Sequence, residues 1–195
     1  MNVDIDISNV LLKTPRLILR PWRETDLEDF HEYARVDGVG QMAGWLPHES
    51  VEVTRMILSQ FIAGNKVFAI EYQGKVIGSL GVENYKEKEF PKLEQFQGRE
   101  IGYVLSKEYW GRGLMPEAVN AVIRWLLDVV NLDFIVVGHF AWNDQSRRVI
   151  EKCGFTYEGT LRRYSRHLTD SVRYSMLKEE WEERKLSCSD RSDLL

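Results

Sequence analysis

The chain is poor in cysteine and proline and has no surplus of positive charge. Its 195 residues hold 2 cysteines, Cys153 and Cys188, without the spacing of a disulfide framework or a zinc site. A reducing compartment, the cytoplasm, is the expected location. The formal net charge is −4, which argues against a nucleic-acid partner, since such proteins are usually basic. No apolar run approaches the ~18 residues of a membrane span. The longest candidate, Ala121 to Val130, is broken by Arg124 and Asp128. The N-terminal MNVDIDISNV is acidic where a secretory signal would be basic, and it has no apolar stretch. Internal repeats and Pro/Gly/Ser linkers are also missing. These absences leave one non-membrane domain, expected over residues 1–186, with 187–195 as a polar, flexible tail. Hydrophobic residues are 44% of the chain, enough for a substantial core.

Local patterns then set out the elements. RLILR (Arg16–Arg20) alternates and stops at Pro21, as a strand does. Thr25 is positioned to cap an acidic helix, DLEDFHEYARV. After glycines at 38, 40 and 44, Ser50 opens a second helix to about Gly64. Residues 66–85 read as two strands joined at Gln73-Gly74, and residues 86–98 as a charged loop. A strand over Arg99–Ser106, a glycine turn and a helix to about Val130 follow. DFIVVGHF is apolar on both faces, as a central strand should be. NDQSRRVIEKCGF is a short helix stopped by Gly154. TYEGTLRRYS and SVRYSMLKEEW pair as a last hairpin around RHLTD. The order predicts an α+β (mixed α/β) fold: a mixed sheet of about seven strands with helices on its faces.

The stretch YWGRGLMPEA (Tyr109–Ala118) sits between a strand and a helix. Gly111 and Gly113 allow a sharp turn and close approach of a ligand to the backbone. Pro116 suits the first helical turn, where its missing N–H costs no bond. Ala118, Val122, Trp125, Leu126 and Val129 recur at helical spacing. The first amides of the helix lack internal partners and lie at its positive end, an arrangement that binds anions, phosphate above all. The same residues also suit a plain turn. The Gly-Lys-Ser/Thr of a P-loop is missing, and so is the third glycine of a dinucleotide fingerprint, where Pro116 stands.

Four segments in order, KTPRLILRPW, EIGYVL, YWGRGL…EA and WNDQSRRVIEKCGF, resemble the GNAT superfamily of acyl-CoA N-acyltransferases, in particular its Rim-type (ribosomal-protein-alanine N-acetyltransferase-like) branch. The resemblance covers about Leu11 to Leu177. It implies a mostly antiparallel sheet in which two neighbouring strands splay to admit acetyl-CoA as co-substrate. It implies direct transfer of the acetyl group to a primary amine, either a protein N-terminus or a small amine. It allows a homodimer and requires no metal.

Carried onto this sequence, the resemblance assigns the coenzyme's diphosphate to Trp110, Gly111, Arg112, Gly113, Leu114 and Met115, mostly through backbone N–H groups. Met115 stands where the family has glycine or alanine, so its side chain is expected to crowd the phosphate. Glu117 must turn away from it. Arg112 is either a direct phosphate contact or a solvated arginine. The splayed strands would be Glu100–Leu105 and Phe134–Phe140. An amide around Tyr103, Val104 and Leu105 would hold the oxyanion and the coenzyme arm. Asn143 and Ser146 match a pair of the Rim-type branch: Asn143 for the pantetheine amide, Ser146 as a donor to sulfur. Both also suit helix capping. The tyrosine acid of many superfamily members falls at Ile150 here and is absent.

Glu100 is the candidate base, on the strand face of Gly102 and Val104 and opposite Ile101 and Tyr103. A surface ion pair with Arg99 or a lysine is the alternative. His31, His48, His139 and His167 show no metal-ligand spacing. Trp45, Tyr85 and Phe90 are candidates to wall the acceptor pocket, although lone aromatics are mostly packing; the basic Arg162–His167 is a candidate to meet an acidic acceptor or the coenzyme's outer phosphate, although a solvated hairpin is the favoured account. The lost tyrosine and Met115 leave a non-catalytic acyl-CoA-binding or sensing module as the alternative function.

Overall fold

The computed structural model describes residues 1–164 and 168–192. One eight-stranded sheet runs through it in the order β1-β2-β3-β4-β5-β6-β8-β7. The strands are β1 (Leu12–Lys13), β2 (Leu17–Pro21), β3 (Val67–Tyr72), β4 (Lys75–Glu83), β5 (Gly98–Leu105), β6 (Phe134–Phe140), β7 (Thr156–Leu161) and β8 (Ser171–Leu177). All neighbours are antiparallel except β5 and β6. The expected seven strands are present, and the two-residue β1 is the eighth. Two residues carry no readable alternation, so β1 is visible only through its pairing with β2.

Helices α1 (Leu27–Ala34) and α2 (Val51–Gly64) cover one face; α3 (Leu114–Arg124) and α4 (Asp144–Lys152) cover the other. Phe30, Tyr33 and Leu58 pack with Ala69, Val76 and Val104 on the first face. Leu114, Ala118 and Val122 pack with Leu80, Ile101 and Val137 on the second. Past Arg124 the helix widens into a π turn, Trp125–Val129, which buries the consecutive Trp125, Leu126 and Leu127. Helix α5 (Lys178–Ser192) continues into the segment read as a polar tail. Trp181 anchors its start in the core, its indole donating to Asp128 at 2.9 Å. Residues 193–195 lie outside the described residues. Among those described, no helix is long and apolar enough to cross a membrane.

Helix α2 begins at Ser50 as expected, with the Ser50 hydroxyl accepting from Val53 N. Helix α1 does not begin at Thr25. Glu24–Asp26 form a 3-10 turn first, and Asp26 takes the structural part. Its carboxylate receives both terminal nitrogens of the buried Arg20 at 2.8 Å and the backbone N–H of Arg23 at 2.8 Å. Removing one partner of such a buried pair costs about 3–5 kcal/mol.

Candidate functional site

The sheet opens at its middle. Strands β5 and β6 pair from Gly98↔Phe134 to Ile101↔Val137 and no further. Strand β5 stays paired with β4 to Leu105, and β6 with β8 to Phe140. Residues 102–105 and 138–140 therefore face each other across a wedge. Ser106 N donates to Ile77 O at 2.7 Å, which sets the alternation of the antiparallel ladder. Glu100, Gly102 and Val104 turn their backbone groups toward β4. Tyr103 and Leu105 turn theirs into the wedge. Of these, the Leu105 carbonyl accepts the Trp110 indole at 2.8 Å.

Below the wedge lies the glycine turn. Gly111 and Gly113 have φ of 76° and 74°, a region L residues avoid, and Gly113 is the N-cap of α3. Among the described residues, the amides of Gly111, Arg112 and Gly113 donate to no protein acceptor. They lie at the positive end of α3. The Met115 side chain is 5% exposed and packs in the core with Leu114 and Val119, and the residue also lines a cavity beside this turn. Glu117 turns away toward Thr14 and Arg16. The Arg112 guanidinium stacks on Tyr109, 5.0 Å from the ring centroid.

A cavity of about 400 Å³ joins the turn to the wedge. Its wall includes Tyr103, Leu105, Gly113 and the N-terminal half of α4. Arg148 and Lys152, one helical turn apart, bring two cations to its rim. Neither is marked in the sequence, because solvated basic residues on a short helix carry no signal until the helix is docked.

At the top of the wedge the Tyr103 hydroxyl lies 2.9 Å from Ser146 Oγ and 3.2 Å from the Ser146 carbonyl. Burial raises the phenol pKa well above its usual value, although the Ser146 bond works the other way. The tyrosine that the resemblance places on α4 is Ile150 here, and the structure brings a tyrosine from β5 to the N-terminus of α4 instead. The cap of α4 belongs to Asn143, which is 3% exposed: its Oδ1 accepts from Ser146 N at 3.0 Å, and its Nδ2 donates to Met42 O at 3.0 Å. The Asn143 amide is thus largely committed to protein, while the Ser146 hydroxyl is free of capping duty.

A second cavity of about 280 Å³ lies beyond the wedge and shares Met42, Tyr103 and Ser146 with the first. Glu100 lines it, with its side chain 24% exposed. Its partner is neither Arg99 nor a lysine but Arg173 of β8, at 2.9 Å; the same guanidinium reaches Glu89 at 2.8 Å. Burial raises the Glu100 pKa above the usual carboxylate value, and Arg173 offsets part of that. His139 is buried at the same cavity, with Nδ1 2.8 Å from the Phe140 carbonyl.

The aromatic wall expected from Trp45, Tyr85 and Phe90 does not form here. Tyr85 and Phe90 pack with Phe134 in a separate small core, and Trp45 packs against His48. The loop over residues 38–50 contributes Met42 and Ala43 instead. Of the basic segment 162–167, residues 165–167, His167 included, lie outside the described residues. Cys153 is fully buried, which pushes its thiol up to about 12 and leaves it no thiolate at neutral pH. Among the described residues no group of three or more His, Cys, Asp or Glu is arranged to hold a metal.

Comparison with known proteins agrees with this geometry. The family model "Acetyltransferase (GNAT) domain" matches residues 16–156. The uncharacterized N-acetyltransferase YoaA of Bacillus subtilis (strain 168) is 33% identical over 161 residues, 79% of this chain and 87% of that protein. The putative ribosomal N-acetyltransferase YdaF of the same organism is 32% identical over 118 residues, 58% of this chain and 60% of that protein. A GNAT-family acetyltransferase of Bacillus anthracis superposes with a TM-score of 0.76 at 25% identity, covering 88% of this chain and 100% of that one. A split sheet, an open glycine turn and this match over most of the chain lead to one conclusion: the chain belongs to the GNAT family of N-acetyltransferases.

Proposed function

We propose that the protein transfers an acetyl group from acetyl-CoA directly to a primary amine, either a protein N-terminus or a small amine. The observation that carries this reading is the wedge at Ile101/Val137, with a separate cavity on each side and Tyr103 and Ser146 where they meet. One cavity receives the coenzyme and the other the amine, so the two reactants meet inside the sheet.

Acetyl-CoA supplies an activated acyl thioester; the chain's own residues do the rest. The amides of residues 111–115, backed by the positive end of α3, hold the diphosphate. The N–H groups of Tyr103 and Leu105 point where the pantetheine arm and the carbonyl oxygen must lie, and they stabilise charge on that oxygen. Glu100 takes a proton from the incoming ammonium, directly or through water. Tyr103, coupled to Ser146, gives a proton to the sulfur as the C–S bond breaks, and regains one, through water, from the nitrogen as it loses its second proton on becoming an amide. Residues Met42 and Ala43 line the second cavity from the loop side. A binding-only module loses one of its two supports, since a tyrosine reaches the wedge from β5.

The test is release of free coenzyme A thiol from acetyl-CoA across a panel of N-terminal peptides and small amines. Amine-dependent thiol release is the expected result. Binding of acetyl-CoA without turnover over the whole panel would reject it.

Glu100 makes a pH-dependent prediction. It accepts a proton only when ionised, and its pKa is raised. Wild-type kcat/KM should therefore fall as pH drops, with a midpoint above the usual carboxylate range. Glu100→Gln should remove that limb and lower kcat/KM at neutral pH by roughly 100-fold. The deficit should shrink at high pH, where the amine arrives neutral. An unchanged profile would return Glu100 to a purely structural ion pair with Arg173.

A further inference from the structure

The segment KTPRL has no part in the chemistry above, yet it is bound to the glycine turn. Thr14 and Leu17 close a tight loop on each other: Thr14 N donates to Leu17 O at 2.9 Å, and Leu17 N to Thr14 Oγ1 at 2.8 Å. That loop presents three donor groups to one carboxylate on α3. Glu117 Oε1 receives Thr14 Oγ1 at 2.6 Å and Arg16 N at 2.9 Å. Glu117 Oε2 receives Arg16 Nε at 2.7 Å and lies 2.6 Å from Nη2. The remaining guanidinium nitrogen, Nη1, donates to the Arg112 carbonyl at 2.9 Å. Arg16 thus spans from the first turn of α3 to the middle of the glycine turn, 96 positions away in sequence.

The placement creates a charge problem that Arg16 solves. Glu117 lies in the first turn of the helix whose free amides face the anion site. A lone carboxylate there would occupy the same positive helix end that a diphosphate needs, and would repel it. Paired with Arg16, it is electrically compensated and drawn to the far side of the turn. The Arg112 carbonyl is meanwhile fixed by Arg16 Nη1, which restrains the peptide group between the two glycines of the turn. Burial alone would raise the Glu117 pKa; the bonds from Thr14 and Arg16 outweigh it and lower the net value, so the group is ionised throughout the neutral range.

We propose that Arg16 is a positioning residue for the coenzyme: it neutralises Glu117 and clamps the Arg112 carbonyl, so that the turn presents its amides to a diphosphate. The inference rests on the assignment of acetyl-CoA to this turn. Arg16 touches no reacting atom, so its effect falls on binding and not on the chemical step. Its side chain is 43% exposed, so its replacement opens no cavity in the core.

The experiment measures acetyl-CoA affinity by calorimetry, together with KM, kcat and the melting temperature of the unliganded chain, for four proteins. Arg16→Met should weaken acetyl-CoA binding at least tenfold and raise its KM equally, with kcat within twofold of wild type. Arg16→Met/Glu117→Gln should recover most of that loss, because the uncompensated charge is gone. Arg16→Lys should fall between, since lysine restores the charge but not the two-sided fork. Wild-type affinity in Arg16→Met, or a double variant as weak as the single, would overturn the proposal. So would an affinity loss that merely follows a fall in the unliganded melting temperature. If wild-type protein itself fails to bind acetyl-CoA, the assignment of the turn falls and takes this proposal with it.

Discussion

Gly113→Val is expected to weaken acetyl-CoA binding by at least a hundredfold. Gly113 has φ of 74° and ψ of 10°. An L residue pays about 1–2 kcal/mol there, and a β-branched one more. Crowding inside the protein is not the cause: a Cβ at this position would meet only Arg16 Nη2, at 3.7 Å. The two further carbons of valine would reach toward Arg16 and disturb its hold on the turn, and relief of the backbone would swing the amides off the ligand. A drop of about a hundredfold is about 2.7 kcal/mol, which these two effects together supply. Calorimetry with acetyl-CoA and the shift in melting temperature it produces both read the loss. Gly113→Ala should be intermediate, because it keeps the strain and adds less bulk. Unchanged affinity in Gly113→Val would place the diphosphate elsewhere.

Tyr103→Phe is expected to lower kcat by roughly 100–1,000-fold, within the range for a positioned acid, while the KM for acetyl-CoA stays within a few-fold. The phenol sits where the two cavities meet, and burial keeps it protonated well past neutral pH. An acid of this kind adds no descending limb to the rate profile near neutral pH, so the variant should lose rate without changing the profile's shape. Ser146→Ala removes the partner hydroxyl but not the phenol, so its loss should be smaller, roughly tenfold. The two losses should be less than additive, because the groups act as one hydrogen-bonded pair. Helix α4 should be unaffected in Ser146→Ala, because its cap is the Asn143 carbonyl oxygen bonding a backbone N–H that alanine keeps. Near-wild-type kcat in Tyr103→Phe would remove the phenol from the proton path.

The readable parts of this chain were those where short-range pattern and local conformation agree. Ser50 before an apolar-periodic run marks the start of α2 without reference to anything distant. Gln73 and Gly74, both with positive φ, turn β3 into β4, and the two residues announce that turn themselves. Gly111, Gly113 and Pro116 together specify a turn entering a helix. Thr25 shows the limit of such reading. As a residue type it suits a cap, yet the helix starts later because Asp26 is held by Arg20, and that pair depends on β2 lying beside α1.

The order of β2 to β8 and of α1 to α4, the central strand β6 and the free amides of the glycine turn were determined by the sequence alone, since each follows from periodicity and backbone freedom within a short window. The tertiary structure alone decided the rest. It fixed Ile101/Val137 as the point where β5 and β6 separate, brought Tyr103 to Ser146 43 positions away, and paired Glu100 with Arg173. It also supplied Arg16, the partner that holds Glu117. The reason is that a side chain's chemical role depends on its partners and its exposure to water. Those are set when distant segments pack across the sheet, and no local pattern encodes them.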